Sequence, residues 1–361
     1  MNDHGTKVAE LFAAKALEKF YEVGVTPFIT NDEYEGEIRD KASKLTVMTF
    51  AESQGLQNYT GSDLTLGDVD ESPSTLNTDQ AKAYYFKIKS FDTFKSAVKD
   101  PESTLMIEKA GQLQEAVDAY VLGLYTDVAS GNRIGTDYTT GTVEVTVTTG
   151  AVTGSGTTFT SGMVGKGFKA TGHSVWYRIK TYTSATAIVI EDDNDDVTSA
   201  YTGGAIGAGA TYTIEANTAV TLTASNIYGY ILKLKQRLDE DKTPKAGRWL
   251  VVNSYIMEIL SQASVVVRDV ESDTATVENG FEGRIAGFMV YQNEQLSGNN
   301  TNGFWVLAGH KVAITFAMAF VETGIEDLQG NFGKAYKGLN VYGAKVPDIR
   351  RKNLAALYAK V

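Results

Sequence analysis

The sequence has no cysteine, only five prolines and three histidines among its 361 residues, and no long apolar run. The absence of cysteine excludes disulfide bonds, zinc–thiolate sites and cysteine nucleophiles. No apolar run approaches the roughly 18 residues of a membrane-spanning helix, and the N-terminal residues lack the basic and apolar segments of a signal peptide. These absences fit a protein that assembles in a reducing compartment and has no membrane partner.

Positively charged residues are outnumbered by negatively charged ones. The formal net charge is −11, with 33 Lys and Arg against 44 Asp and Glu. Affinity for nucleic acid comes from Lys and Arg that displace counterions from phosphates, so an acidic chain does not seek DNA. We therefore expect that the protein, if it meets DNA, contacts it weakly or encloses it, without specific binding.

Two glycine-rich stretches resemble phosphate-binding loops at first sight. They are "GSGTTF" (154–159) and "GMVGKG" (162–167), and neither has the G-x-x-x-x-G-K-[ST] spacing or opens a predicted helix. Both are better interpreted as β-turns.

The acidic run "EDDNDDV" (191–197) places Asp192, Asn194 and Asp196 at alternate positions, as a calcium loop does. The sixth position is Val197 and the twelfth is Gly203, where an EF-hand requires Gly and Glu. An EF-hand is excluded, which leaves a solvated acidic turn or an adventitious cation site.

His310, in "AGHKVAI", has no sequence neighbour suited to catalysis, and neither a G-x-S-x-G nor an H-E-x-x-H motif occurs. We interpret His310 as a structural histidine. The sequence therefore predicts no catalytic residue, no cofactor and no metal site, and the protein is not expected to be an enzyme.

Three segments have the apolar periodicity of helices. Residues 7–21 form one, residues 100–128 form a longer one with Asp100 as N-cap and Pro101 at the first helical position, and residues 225–242 form a third. At 1.5 Å per residue the second would be about 40 Å long. In the third helix, Ser225 is the expected N-cap. Its expected buried face consists of Ile227, Ile231, Leu234 and Leu238. A later helix would be capped by Asn253 or Ser254.

A polar stretch, 51–81, lies between two predicted strands at 44–50 and 84–91. About 30 residues is long for a loop in a compact domain, where 4–6 is usual. Two interpretations remain open: a disordered surface loop, or a long hairpin arm that lies on another subunit.

Residues 136–224 differ from the rest in composition, with 22 Thr, 12 Gly and no Pro. Alternating runs such as "VEVTVTT", "WYRIKTYT" and "TAIVIED" predict short strands joined by Gly and Ser turns, hence a small sandwich or barrel. Because helical segments flank it, we interpret it as an all-β domain inserted into an α+β host. Trp176, Tyr177 and Tyr182 would either line a sugar site or pack in its core.

The stretch "GFEGRIAGFMVYQN" (280–293) places Gly280, Gly283 and Gly287 just before an apolar strand. Glycine allows positive φ and close approach of backbones, which predicts a sharp turn into the strand. It is either an ordinary hairpin turn or, as the family resemblance described below implies, a turn that lies where subunits converge.

Four stretches together resemble the major capsid proteins of tailed bacteriophages, which have the Hong Kong 97-type fold. They are "TPFITNDEYEGEI" (26–38), "GFEGRIAGFMVYQNEQL" (280–296), "LAGHKVAITFA" (307–317) and "FGKAYKGLNVYGAKV" (332–346). The resemblance rests on their order and spacing and covers residues 1–134 and 225–361.

The resemblance implies a division of the chain into the parts of that fold. These parts are an N-terminal arm (1–43), an extended loop hairpin (44–91), a peripheral domain with a spine helix (92–135 and 311–361), the inserted β-rich domain (136–224) and an axial domain (225–310).

The same resemblance implies a structural protein that self-assembles, as hexamers and pentamers, into an icosahedral shell around double-stranded DNA in the virion, after assembly in the bacterial cytoplasm. Implied partners are further copies of the chain, a scaffolding protein, a portal and a decoration protein. The alternatives are an encapsulin-type nanocompartment shell and a phage tail or adhesion protein. The expected inter-subunit residues are Tyr34, Glu35, Glu37, Arg39, Tyr59, Leu64, Leu66, Arg284 and Lys337.

Overall fold

A computed structural model of the chain describes residues 24–31, 44–50, 71–89, 101–194, 200–263, 281–329 and 332–361. The predicted helix at 7–21 lies outside these residues. The chain divides into two compact units. The described part of the first unit is residues 44–50, 71–89, 315–329 and 332–347, and the described remainder belongs to the second unit.

Two antiparallel arrangements make up the described part of the first unit. Strand β1 (Lys44–Phe50) pairs with β2 (Glu71–Asn77), and a separate three-stranded sheet has the order β19 (Thr315–Asp327), β20 (Gly333–Lys345), β3 (Gln80–Lys89). The predicted hairpin is therefore present, but its second strand ends at residue 77, because β3 pairs with β20 instead of with β1.

The second unit contains a mixed sheet that we call the host sheet. Its interior side chains are large and fully buried, among them Trp249, Phe288 and Phe304. The strands in spatial order are β13 (Val220–Thr221), β21 (Leu354–Lys360), β18 (Gly303–His310), β14 (Arg248–Val252), β16 (Phe288–Gln292) and β15 (Phe281–Ile285), with β17 (Gly298–Asn299) beside β18 and β4 (Arg133–Ile134) beside β21.

Four helices lie in the described part of the same unit. They are α1 (Thr26–Ile29), α2 (Pro101–Leu122), α3 (Ile227–Glu240) and α4 (Ser254–Gln262); 3₁₀ turns occupy Gly123–Asp127, Ser161–Met163 and Asp348–Asn353. The predicted long helix is confirmed from Pro101 to Leu122, after which it tightens into the first of these turns. Helix α3 packs against β21.

The caps of α3 and α4 are a useful contrast. The predicted buried face of α3 is confirmed, and so is Asn253 as the cap of α4, because its side chain accepts a hydrogen bond from Ile256 N at 3.1 Å. Ser225 is not the cap of α3. The backbone N–H groups of Asn226 and Ile227 donate to Thr223 O, so a turn at 223–226 leads directly into the helix.

An eight-stranded sheet, which we call the module, spans residues 136–218 of the second unit. One cluster of buried apolar side chains forms its core, including Val143, Phe168, Ile179, Ile190 and Ile214. The strands in spatial order are β11 (Ile206–Ala210), β6 (Thr142–Val145), β7 (Ala151–Ser155), β10 (Ala187–Asp192), β9 (Tyr177–Ser184), β8 (Gly167–Ala170), β12 (Tyr212–Thr218) and β5 (Thr136–Tyr138).

The sheets do not follow all of the expected domain boundaries. Strand β13 pairs in parallel with β21, so residues 220–221 belong to the host sheet, although we expected the insertion to run to 224. Strand β21 also pairs with β18, which joins residues 354–360 to the expected axial segment 225–310. Within the module, Thr136 lies opposite Thr218, so the two ends of the module are adjacent.

Candidate functional site

Most of the residues expected at subunit contacts lie outside the described part of the chain: Tyr34, Glu35, Glu37, Arg39, Tyr59, Leu64 and Leu66, together with the turn glycine Gly280. Two are described. Arg284 is exposed on β15, and Lys337 on β20 forms an ion pair with Glu326 on the neighbouring strand β19. Their role between subunits stays a prediction.

The glycines before β16 form a tight hairpin. Strands β15 and β16 are joined by Ala286 and Gly287, with φ of 51° and 93°, and positive φ at both central residues is the signature of a type I′ turn. A Cβ added to Gly287 would meet nothing within 4 Å, so the backbone angle and not space requires glycine there. Gly283, with φ of 133°, lies at a shift in the register. The local structure is therefore a hairpin turn, and a role for this turn between subunits stays a prediction.

A buried carboxylate on α2 fixes the segment that contains α1. Asp118 accepts hydrogen bonds from Val25 N (3.4 Å), Thr26 N (3.2 Å), Thr26 Oγ1 (2.6 Å) and Asn293 Nδ2 (2.8 Å). Burial raises the pKa of Asp118, and these donors oppose the rise. The sequence analysis missed this anchor, although a lone Asp in the apolar run "EAVDAYV" is a signal for a buried, partnered carboxylate.

The junction between module and host sheet is built from buried charge, beginning with Arg351. The guanidinium of Arg351 donates to Asp193 Oδ1 of the module at 2.6 Å and to Asp127 O at 2.9 Å. Ser130 N donates to the other Asp193 oxygen at 2.6 Å. Burial alone would raise the pKa of Asp193, but Arg351 and the Ser130 N–H hold that pKa below its ordinary value. Asp193 is thus ionised, and the pair links residues 158 positions apart.

Glu215 is the second charged group of the junction. Its carboxylate accepts from Gly131 N at 2.5 Å and Gly167 N at 3.0 Å, and Arg133 lies 3.7 Å away. Arg133 in turn donates to Gly165 O at 2.6 Å. Complete burial raises the pKa of Glu215 to about 7, against the lowering effect of Arg133 and of the two N–H groups.

An amide completes the junction on the host side. Asn132 Nδ2 donates to Asp241 Oδ2 at 2.6 Å and lies 3.2 Å from both Lys352 O and Leu354 O. This side chain therefore connects the strand entering the module with α3 and with the start of β21. Sequence analysis did not identify any of these junction residues.

An open depression of about 740 Å³ lies on the module. Successive side chains of a strand point to opposite faces, and here Lys169 and Thr213, which are register partners, lie on the outer face with Thr211, Asp137 and Thr139. Trp176 borders the depression and is partly exposed, whereas Tyr177 is buried in the module core and Tyr182 is exposed. The three aromatics that we considered for a sugar site are therefore not brought together.

The motifs weighed for metal binding and catalysis can also be placed. Asp192 accepts from Thr202 N and Oγ1, and His310 Nδ1 accepts from Val312 N at 3.2 Å, as expected of a structural histidine. In the described ranges, no group of three or more acidic or His side chains is arranged to hold a metal ion.

Comparison with solved structures gives the fold. The chain is similar to a chain of Mycobacterium phage Che8 with 16% identity and a TM-score of 0.55, over 92% of this chain and 90% of that chain. It is similar to chains in the capsid of Cyanophage P-SCSP1u (13% identity, TM-score 0.51, 89% and 84% covered) and in the capsid of Ralstonia phage GP4 (10%, 0.50, 94% and 90%). No family model and no curated protein matches the sequence.

The chain has a phage capsid fold. The predicted fold class, α+β of the capsid type, is therefore confirmed over about nine-tenths of the chain. Within this capsid fold, no helix in the described ranges is long and apolar enough to cross a membrane.

Proposed function

We propose that this chain is the major capsid protein of a tailed bacteriophage. In this proposal, copies assemble as hexamers and pentamers into an icosahedral shell that encloses double-stranded DNA. The observation that carries the proposal is the capsid fold, which extends over 89–94% of the chain in the phage comparisons with TM-scores of at least 0.50.

The first unit supports an assembly role. Strands β1 and β2 pair with each other over seven residues, and among the described strands neither pairs with a third. A long hairpin supplies contact area without enlarging the subunit, and many modest contacts give a shell collective stability. We propose that this hairpin contacts a neighbouring subunit, together with the arm (1–43), Arg284 and Lys337.

The sheets refine the proposed domains. We propose the hairpin at 44–77, a peripheral domain that includes β3, β19 and β20, and an axial domain formed by 225–310 together with β21. The module is proposed as an insertion, which the adjacency of Thr136 and Thr218 supports, because a chain can leave and re-enter a host at neighbouring points.

The charge of the chain bears on what the shell contains. A net charge of −11 disfavours electrostatic binding of packed DNA, so the proposed subunit encloses DNA without binding it specifically. Its proposed partners are further copies of itself, a scaffolding protein, a portal and a decoration protein, and its proposed location is the virion, after assembly in the host cytoplasm. The proposed role is structural and not enzymatic.

The experiment is negative-stain electron microscopy of the purified chain after size-exclusion chromatography, alone and with its candidate scaffolding protein. We expect closed shells, or separate hexamers and pentamers. We expect Arg284→Glu to reduce shell formation and Lys245→Glu, an exposed charge on the α3–β14 loop with no proposed contact, to leave it unchanged.

A monodisperse monomer under every condition would contradict the proposal and favour a tail or adhesion protein. Shells purified from the native source that contain a protein cargo and no DNA would instead identify an encapsulin-type compartment. Equal loss of shells in the Arg284 and Lys245 variants would contradict the contact assigned to Arg284.

A further inference from the structure

The outer face of the module has the chemistry of a site for neutral polar rings. Strands β8, β12 and β5 lie side by side, and their outward positions carry hydroxyls, one cation and one carboxylate. The inward positions of the same strands, such as Phe168, Tyr212 and Tyr138, pack in or against the module core. The outward groups are therefore free to meet a ligand without disturbing that core.

Trp176 supplies an apolar surface at the edge of this face. Its indole packs against Gly131, where an added Cβ would lie 2.7 Å from Nε1 and 2.8 Å from Cδ1. Lys169 Nζ lies 5.9 Å from the ring centroid, within cation–π range, and donates to Ser174 O at 3.2 Å. The indole is thus held in one position and remains partly exposed.

Hydrogen-bonding groups line the same depression as the indole. Asp137 uses Oδ1 to accept from Ala216 N at 3.0 Å, and no described residue donates to its Oδ2. Thr171 and Thr211 share a hydrogen bond of 2.7 Å at the surface. His173 is already satisfied, with Nδ1 accepting from Ala170 N and Nε2 bonded to Tyr201 OH.

The charges of the depression nearly cancel. Burial, aided by Lys169, lowers the pKa of His173, so its imidazole is neutral at pH 7. Lys169 and Asp137 then leave no net charge, which disfavours anions such as phosphate. A largely apolar ligand is also disfavoured, because the depression is open and rich in hydroxyls. A sugar ring, with an apolar C–H face and hydroxyls at its rim, matches an indole bordered by a carboxylate, an ammonium and threonines.

We propose that the depression bordered by Trp176, Lys169 and Asp137 binds a hexose or N-acetylhexosamine unit of a polysaccharide. A single open site of this kind binds weakly. Repetition of the module over a shell would raise the overall avidity for a polysaccharide surface, and that step alone rests on the proposed capsid function.

The first test uses the full chain labelled with fluorotryptophan. Its three tryptophans give separate ¹⁹F resonances, and loss of one signal in Trp176→Phe assigns Trp176. Titration with maltotriose, galactotriose or chitotriose is expected to shift the Trp176 resonance and to leave that of fully buried Trp249 unmoved. Lys169→Ala and Asp137→Asn are expected to weaken binding about tenfold, the equivalent of one net hydrogen bond of ~1.4 kcal/mol.

Tyr182→Ala is the matched control, since Tyr182 is an exposed aromatic of the module that does not line the depression. No shift of the Trp176 resonance with any of the three sugars would overturn the proposal. The site would be overturned if the sugar-induced shift of the Trp176 resonance were unchanged in both the Lys169 and the Asp137 variants. It would also be overturned if Tyr182→Ala weakened binding as much as those two variants do. If the chain binds sugar but never assembles, the capsid function fails and the site stands.

Discussion

The interior of the module and its junction with the host sheet are stabilised in opposite ways. The interior is an apolar cluster in which Phe168, Ile179 and Ile190 are at most 1% exposed. The junction buries Arg351, Asp193 and Glu215. Apolar burial supplies free energy without direction, whereas a buried ion pair adds little net stability but tolerates only one geometry. The difference indicates that the core makes the module fold and the charges fix how it is joined to the host sheet.

Loss of Arg351 should have the largest effect. In Arg351→Met, Asp193 would remain buried without its cation, and breaking one side of a buried pair costs about 3–5 kcal/mol of the free energy of unfolding. We expect this loss in urea denaturation followed by tryptophan fluorescence.

Arg350→Met is the matched control, because Arg350 makes a solvent-exposed hydrogen bond to Val312 O and is the neighbour of Arg351. We expect it to change the free energy of unfolding by no more than about 0.5 kcal/mol. Adding Asp193→Asn to Arg351→Met should recover part of the loss, since it removes the stranded charge. Equal losses in the Arg351 and Arg350 variants would show that the junction is no more charge-dependent than the surface.

Glu215 should make stability depend on pH near neutrality. Its pKa is raised from an ordinary 4.5 to about 7 in the folded chain, so the folded state binds this proton more tightly than the unfolded state. The contribution of Glu215 to the free energy of unfolding is then greatest below pH 4.5 and falls as pH rises towards 7, by at most about 3 kcal/mol over that window. Urea denaturation between pH 5 and pH 8 measures the slope.

Glu215→Gln should remove the part of the slope that Glu215 contributes, because the glutamine does not ionise. Two other buried groups also depend on pH: burial raises the pKa of Asp127 and lowers the pKa of Lys166 to about 8. If the variant keeps the pH dependence of the original chain, the Arg133 contact and the two N–H donors hold Glu215 ionised, and the charge of the junction is permanent.

The contrast between core and junction also explains how far the sequence could be interpreted. Period-two alternation identified four of the eight module strands, and the spacing of Ile231, Leu234 and Leu238 identified the buried face of α3, because burial imposes a local pattern. The junction has no such pattern. Gly131 and Glu215 are 84 residues apart, and Asp193 and Arg351 are 158 apart, so only the fold brings them together.

Two local features show what the sequence pattern does not determine. Strand β2, "ESPSTLN", lies in the polar stretch 51–81, for which a surface loop and a hairpin arm both remained open, and it contains Pro73 and only one large apolar residue, Leu76. It is a strand because it pairs with β1 along its full length, which shows tertiary pairing overriding weak propensity. The run "AVTLTA" (219–224) alternates as well as the preceding strands do, and therefore predicts an insertion that ends at 224. Alternation predicts a strand but not the sheet that it joins.

A small change in the core should sharpen the comparison. Ile179→Val removes one methylene from a side chain that is 1% exposed, and such a change costs about 0.5–1.5 kcal/mol. If the core and the junction act separately, this loss should add to that of Arg351→Met within about 0.5 kcal/mol in the double variant. Val147→Ala, at a module position that is 51% exposed, is the control and should change stability by less than about 0.5 kcal/mol. A marked departure from additivity would mean that the junction charges also set the packing of the core, so that the two regions form one cooperative structure.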